Sequence, residues 1–124
     1  FLAVKISFIN EIASLCDKSG GDVLTVSRAL GMDGRISEKF LHPGPGFGGS
    51  CFPKDTKALV HMSNKHKANS MIVNAAISSN KLQKKLILKK LTSLMNNNFK
   101  SRTVSILGLA FKAQTDDVRD SVSI

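Results

Sequence analysis

Apolar residues recur at steps of three and four along the first eighteen positions, at Leu2, Ile6, Ile9, Ala13 and Cys16. That spacing lines one face of an α-helix. Phe8, Ile12 and Leu15 widen the stripe, which predicts a helix buried on more than one side. Ser19, Gly20 and Gly21 stop it, because glycine adopts the left-handed conformation that closes helices. Asp22 is a good N-cap for a second helix to Leu30, with Val23, Val26 and Leu30 inward and Gly31 closing it. The stretch from Met32 to Phe52 is glycine-rich and contains Pro43 and Pro45, so it reads as a loop. A loop of that length inside a compact domain is unusual and often functional.

Periodicity returns at Pro53, a residue tolerated in the first turn of a helix, where a backbone N–H has no partner to lose. The third helix is predicted to reach His66, with Ala58, Leu59 and Met62 as its apolar face, and Lys65 to Asn69 as a polar turn. Ser70 is placed to cap a long fourth helix ending near Asn96, through Ile72, Ala76, Ser79, Leu82, Leu86, Leu91 and Leu94. Its length as a rod is about 40 Å at the α-helical rise. The pattern changes at Thr103. Thr103 to Leu107 is a short β-branched and apolar run followed by Gly108, which predicts a strand entering a turn. Lys112 to Asp120 is polar loop, and Ser121 is placed to open another helix.

The predicted architecture is therefore mainly α. A helical central or dimerisation domain over residues 1–98, containing one long helix, is followed over 99–124 by the first strand of a truncated, Rossmann-like α/β domain. Phe1 falls in the middle of a helical pattern and Ile124 at the start of another, so the expectation is an interior piece of a longer protein.

Composition narrows the function classes. The formal net charge is +9, from eighteen Lys and Arg against nine Asp and Glu, which raises the prospect of a polyanionic partner. Many of the lysines (Lys81, Lys84, Lys85, Lys89, Lys90) share one helix and read as a solvated basic face. There is no Trp or Tyr, and the Phe residues are not interleaved with the lysines, so no platform for stacking bases is visible. A basic nucleic-acid-binding domain thus rests on charge alone. No apolar run approaches the roughly 18 residues of a membrane span, and the first ten residues lack the pattern of a signal peptide. Cys16 and Cys51 are too few for a disulfide framework, and neither they nor His42, His61 and His66 have metal-ligand spacing. A reducing, cytoplasmic setting without a metal is the default.

Chemistry concentrates between Gly44 and Asp55. Four glycines there let backbone approach a ligand closely. Cys51 sits at or just before a helix N-terminus, facing the positive end of the helix dipole with Lys54 close by, a setting suited to a nucleophile. Asp55, in the first turn, can act on a proton or a water. Gly44, Gly46 and Gly49 formally match G-x-G-x-x-G, but no strand precedes them and Cys51-Phe52-Pro53 follows, which excludes the dinucleotide fingerprint. On pattern alone a buried structural thiol is the commoner occupant of such a position.

The run Gly46-Phe47-Gly48-Gly49-Ser50-Cys51-Phe52-Pro53-Lys54-Asp55 resembles the active-site signature of the UDP-glucose/GDP-mannose dehydrogenase family. Phe1-Leu2-Ala3 with Asn10-Glu11 is similar to the start of the family's central helix, and Gly31-Met32-Asp33-Gly34-Arg35-Ile36 to the segment before the loop. Gly108-Leu109-Ala110-Phe111-Lys112 with Thr115-Asp116-Asp117-Val118-Arg119-Asp120-Ser121 resembles the opening of its third domain. The likeness covers essentially the whole chain, and the 32–35 and 40–46 segments are most similar to the bacterial members that oxidise UDP-glucose.

The resemblance implies an NAD-dependent oxidation of the sugar C6 alcohol, UDP-glucose to UDP-glucuronate, in two steps. The aldehyde is held on the cysteine as a thiohemiacetal, then oxidised to a thioester that water releases. Carried over by match, Cys51 is the nucleophile and Asp55 helps activate water. Arg35, Phe40, Leu41, His42, Gly44, Gly46, Phe47, Gly48, Phe111 and Lys112 contact the nucleotide sugar, Arg35 from the neighbouring subunit. Cys51, Lys54 and Arg119 lie toward NAD. The implied partners are the nucleotide-sugar substrate and a second copy of the chain, a homodimer through the central helices, with no nucleic acid, membrane or metal. The family's catalytic lysine and asparagine precede the Phe1-Leu2-Ala3 position, as does its NAD-binding domain. The chain alone is therefore expected to be inactive, and a non-catalytic dimerisation module is the alternative description of it.

Overall fold

The computed structural model describes residues 1–124 and contains four helices: α1 (Leu2–Ser19), α2 (Val23–Gly31), α3 (Phe52–Lys65) and α4 (Met71–Leu94). Local chemistry sets their ends. Gly20, at φ 75°, takes the left-handed cap of α1, and the Gly21 N–H donates to the Cys16 carbonyl at 3.1 Å. The Asp22 carboxylate accepts from the backbone N–H groups of Leu24 and Thr25 at 3.0 and 3.1 Å, starting α2. Pro53 lies in the first turn of α3. The start of α4 differs from the sequence reading. The Ser70 hydroxyl does not cap the helix but accepts from the Asn74 side chain at 2.9 Å, while Asn69 Oδ1 takes the Met71 N–H at 3.1 Å. Asn69 is one residue farther back and reaches that N–H as an Asx turn does. The 24 residues of α4 span about 36 Å.

Helix α1 packs against α2 and α4, and α3 packs against α4. The 32–51 loop lies within this arrangement and contributes Leu41 and Phe47 to the core, beside Ala3, Ile9, Cys16 and Ala76. The core is small, with 15 of 124 residues buried, and this overturns part of the predicted inward faces. Leu2, Phe8 and Leu15 of α1 are exposed, as are Leu59 and Met62 of α3 and Ile72, Leu82 and Leu94 of α4. In their place α1 buries Lys5, Ser7 and Asn10, and α4 buries Asn80. Buried polar groups need partners, and each of these has one, so the interior is partly a hydrogen-bonded joint between helices and loop.

The predicted strand at 103–107 does not form, and the predicted helix from Ser121 does not form either. Residues 103–110 make no backbone–backbone hydrogen bond, and Val104, Ile106 and Leu107 are exposed. A strand is completed only by a neighbour that accepts its ladder, and no second strand is present here. The chain then folds back so that 111–121 lies against the glycine loop, with the Gly49 N–H donating to the Arg119 carbonyl at 2.9 Å.

Candidate active site

Side chains from three helices hold the loop that carries Cys51. Asn10 Oδ1 accepts the Gly44 N–H at 2.8 Å, and Gln83 Nε2 donates to the Gly44 carbonyl at 2.7 Å. The Asn80 amide closes a two-point pair with Phe47, accepting its N–H at 2.8 Å and donating to its carbonyl at 2.9 Å. Ser27 of α2 donates to the Leu41 carbonyl. These side-chain bonds replace the ladder that an irregular loop lacks.

Two glycines are required by geometry. A Cβ at Gly49, at φ 81°, would lie 2.7 Å from the Phe111 ring, and one at Gly48 would lie 2.2 Å from the Asp120 carbonyl oxygen. The bare backbone therefore allows the 111–121 segment to seat directly on the loop.

Cys51 is the N-cap of α3 and is exposed, whereas Cys16 is buried. Its carbonyl accepts the Asp55 N–H at 2.8 Å, which sets Asp55 one turn above it. The Asp55 carboxylate pairs with Lys54 at 2.6 Å, both side chains being exposed. That hydrogen bond and the Asp55 charge raise the Lys54 ammonium above its ordinary value, and a Cys51 thiolate adds to the effect. The Arg119 guanidinium is raised by its hydrogen bond to Asp117 and by the Asp117 charge, again with a contribution from Cys51. Both cations are held in ion pairs with neighbouring carboxylates, Lys54 with Asp55 on α3 and Arg119 with Asp117 on the returning segment.

A groove of about 570 Å³ brings together six of the residues expected to contact the sugar nucleotide: Phe40, His42, Gly44 and Gly46 from the loop, with Phe111 and Lys112 opposite. The Lys112 ammonium lies 5.4 Å from the Phe111 ring centre. Phe52 ties the groove to the cysteine, with ring centres 6.0 Å from Phe40 and 5.8 Å from Phe47. Leu41, Phe47 and Gly48 are buried, so any contact they make uses backbone rather than an open side chain. Arg35 lies outside the groove, exposed and forked onto Asp33. Asp55 lines a separate apolar cleft of about 260 Å³ with Phe1, Leu2, Phe52 and Leu59.

The sequence reading missed Lys5, Asn80 and Gln83. Their only signal is a polar residue at an inward helical position, as with Asn80 four residues after Ala76.

A thiol exposed at the start of a helix and joined by aromatic rings to a groove is an arrangement open to nucleophilic chemistry. Residues 1–82 match the central domain of the UDP-glucose/GDP-mannose dehydrogenase family, and the chain belongs to that family. All 124 residues align at 48% identity with UDP-glucose 6-dehydrogenase of Rickettsia prowazekii and at 48% with that of Bacillus subtilis, covering 29% and 27% of those proteins. A UDP-glucose dehydrogenase structure from the hyperthermophilic archaeon Pyrobaculum islandicum superposes with a TM-score of 0.92 at 40% identity, over 99% of this chain and 28% of that one. A GDP-mannose dehydrogenase from Pseudomonas aeruginosa superposes with a TM-score of 0.59 at 33% identity, over 98% and 27%. The chain therefore spans less than a third of the length of these relatives.

Proposed function

We propose that the chain supplies the cysteine-bearing centre of an NAD-dependent dehydrogenase that oxidises UDP-glucose at C6 to the carboxylate. The observation that carries this reading is the exposed Cys51 at the start of α3, beside a groove lined by the signature loop. The closer backbone match to the UDP-glucose enzyme than to the GDP-mannose enzyme favours a uridine nucleotide.

Cys51 Sγ adds to the C6 aldehyde, forming a C–S bond while the carbonyl oxygen takes a proton. The resulting thiohemiacetal retains an intermediate that would otherwise diffuse away. After the second oxidation the carbon is a thioester, and water cleaves its C–S bond, returning the thiol and releasing the carboxylate. Asp55, one turn from Cys51 and paired with Lys54, orients that water. Phe40, His42, Gly44, Gly46, Phe111 and Lys112 form the sugar-nucleotide groove, and Arg35 reaches from one subunit toward its partner's substrate.

NAD, when bound, accepts the hydride in each oxidation. The exposed cations Lys54 and Arg119 suit the anionic edge of a dinucleotide, whereas the Gly44–Gly49 glycines do not form a cofactor fingerprint because no strand leads into them. A homodimer through α1 and α4 is supported by a groove of about 220 Å³ between them, where Phe8 and Ile72 lie exposed.

The test is competitive alkylation. Cys51 should react with iodoacetamide at least about tenfold faster than Cys16, since burial denies access to the latter. Equal labelling, or preference for Cys16, would overturn the nucleophile assignment. In a dehydrogenase of the relatives' length carrying this segment, Cys51→Ser should abolish turnover of UDP-glucose.

A further inference from the structure

The interior holds one cation that the chemistry above does not use. Lys5, in the first turns of α1, is only 8% exposed. Its ammonium makes no ion pair and donates instead to three carbonyls of one loop segment: Ile36 at 2.8 Å, Ser37 at 3.0 Å, and Lys39. All three of its protons are therefore committed to backbone. The segment it grips is strained. Ser37 and Phe40 adopt positive φ, 67° and 65°, which non-glycine residues avoid and which persists only where surroundings enforce it. Phe40 and Lys39 line the groove, and the Phe40 ring meets Phe52, the neighbour of Cys51.

We propose that Lys5 is a positioning residue for the nucleotide-sugar groove. Its ammonium gathers the carbonyls of 36–39 into the strained turn that presents Phe40 to the substrate and to Phe52. This rests on the groove reading given above. The carbonyl dipoles are the sole compensation for the buried charge, so the ammonium and the turn require one another. Removing the cation lets the three carbonyls turn toward water, frees Ser37 and Phe40 to leave the left-handed region, and widens the wall. Nothing in this linkage touches the sulfur, so binding and chemistry should respond differently.

The experiment uses Lys5→Met in a dehydrogenase of the relatives' length that carries this segment. KM for UDP-glucose should rise by about tenfold, close to the worth of one charge-assisted hydrogen bond, with kcat within about threefold of the parent. Amide hydrogen exchange followed by mass spectrometry should quicken over residues 36–41, with α1 to α4 unchanged. An unchanged KM in a parent enzyme that saturates normally overturns the proposal. So does unchanged exchange at 36–41, or a loss of protection spread over all helices, which marks a merely structural role. Should Lys5→Met not fold, Lys5→Gln keeps two donors without the charge and gives the same two readouts at smaller size. If the unmodified parent fails to saturate with any nucleotide sugar, the groove reading fails, and exchange at 36–41 alone decides whether Lys5 holds the turn.

Discussion

Asn80 shows how one side chain can set the shape of the glycine loop. Its amide satisfies both the N–H and the carbonyl of Phe47 at a buried position, so Asn80→Ala leaves two backbone groups unpaired. The expected cost is about 2 kcal/mol or more, read as a lower urea midpoint at constant m-value, because an orphaned buried group forfeits its desolvation cost in full. Ile9, with no exposed surface, makes a contrasting case. Ile9→Ala should cost roughly 2–5 kcal/mol in the same assay through lost burial and a residual cavity, without altering Cys51 alkylation. Ile9 was legible from the sequence, since apolar periodicity points at the core. Asn80 and Lys5 were not, because hydropathy reads a polar residue as outward-facing and carries no trace of a partner more than thirty residues away. The place of Cys51 at a helix start was legible because glycines and Pro53 mark a loop entering a helix, and that junction is local.

At the scale of elements, α2 depends on its cap. Hydrogen bonds from the Thr25 hydroxyl and the Leu24 N–H hold the Asp22 carboxyl below its ordinary value of 3.8. A carboxylate depressed in the folded state stabilises fully above the unfolded value and ceases to do so as pH falls through the folded one. Helicity at 222 nm should therefore fall with acid below the ordinary carboxylate range. Asp22→Asn, which keeps an acceptor but no charge, should be less stable near neutrality and lose that difference once Asp22 is protonated; a constant difference at all pH values would refute the cap's role. All four helices were visible as 3.6-residue periods within a residue or two of their observed ends. The strand at 103–107 was not realised because strand identity depends on a partner, whereas helix identity is settled within one segment.

The whole molecule has a small core and wide uncovered apolar faces on α1 and α4, with Phe8 44% and Ile72 71% exposed. Surfaces of that kind mark association. Sedimentation should find a dimer, and Ile72→Glu should shift it to monomer with little change in helix content, since a side chain so exposed contributes little to the fold itself. A strict monomer at high concentration would count against assembly through these helices. The net charge of +9 should leave a salt dependence in any anion binding, which weakens as ionic strength rises.

The amides that anchor the glycine loop lie on α1 and α4, Asn10 before it and Asn80 and Gln83 after it. A protein engineer who grafted residues 40–51 onto a foreign scaffold would move the exposed sulfur without the instructions for the loop's shape. The transferable unit is the loop plus those distant anchors, and a transplant lacking them should present a thiol in many orientations instead of one.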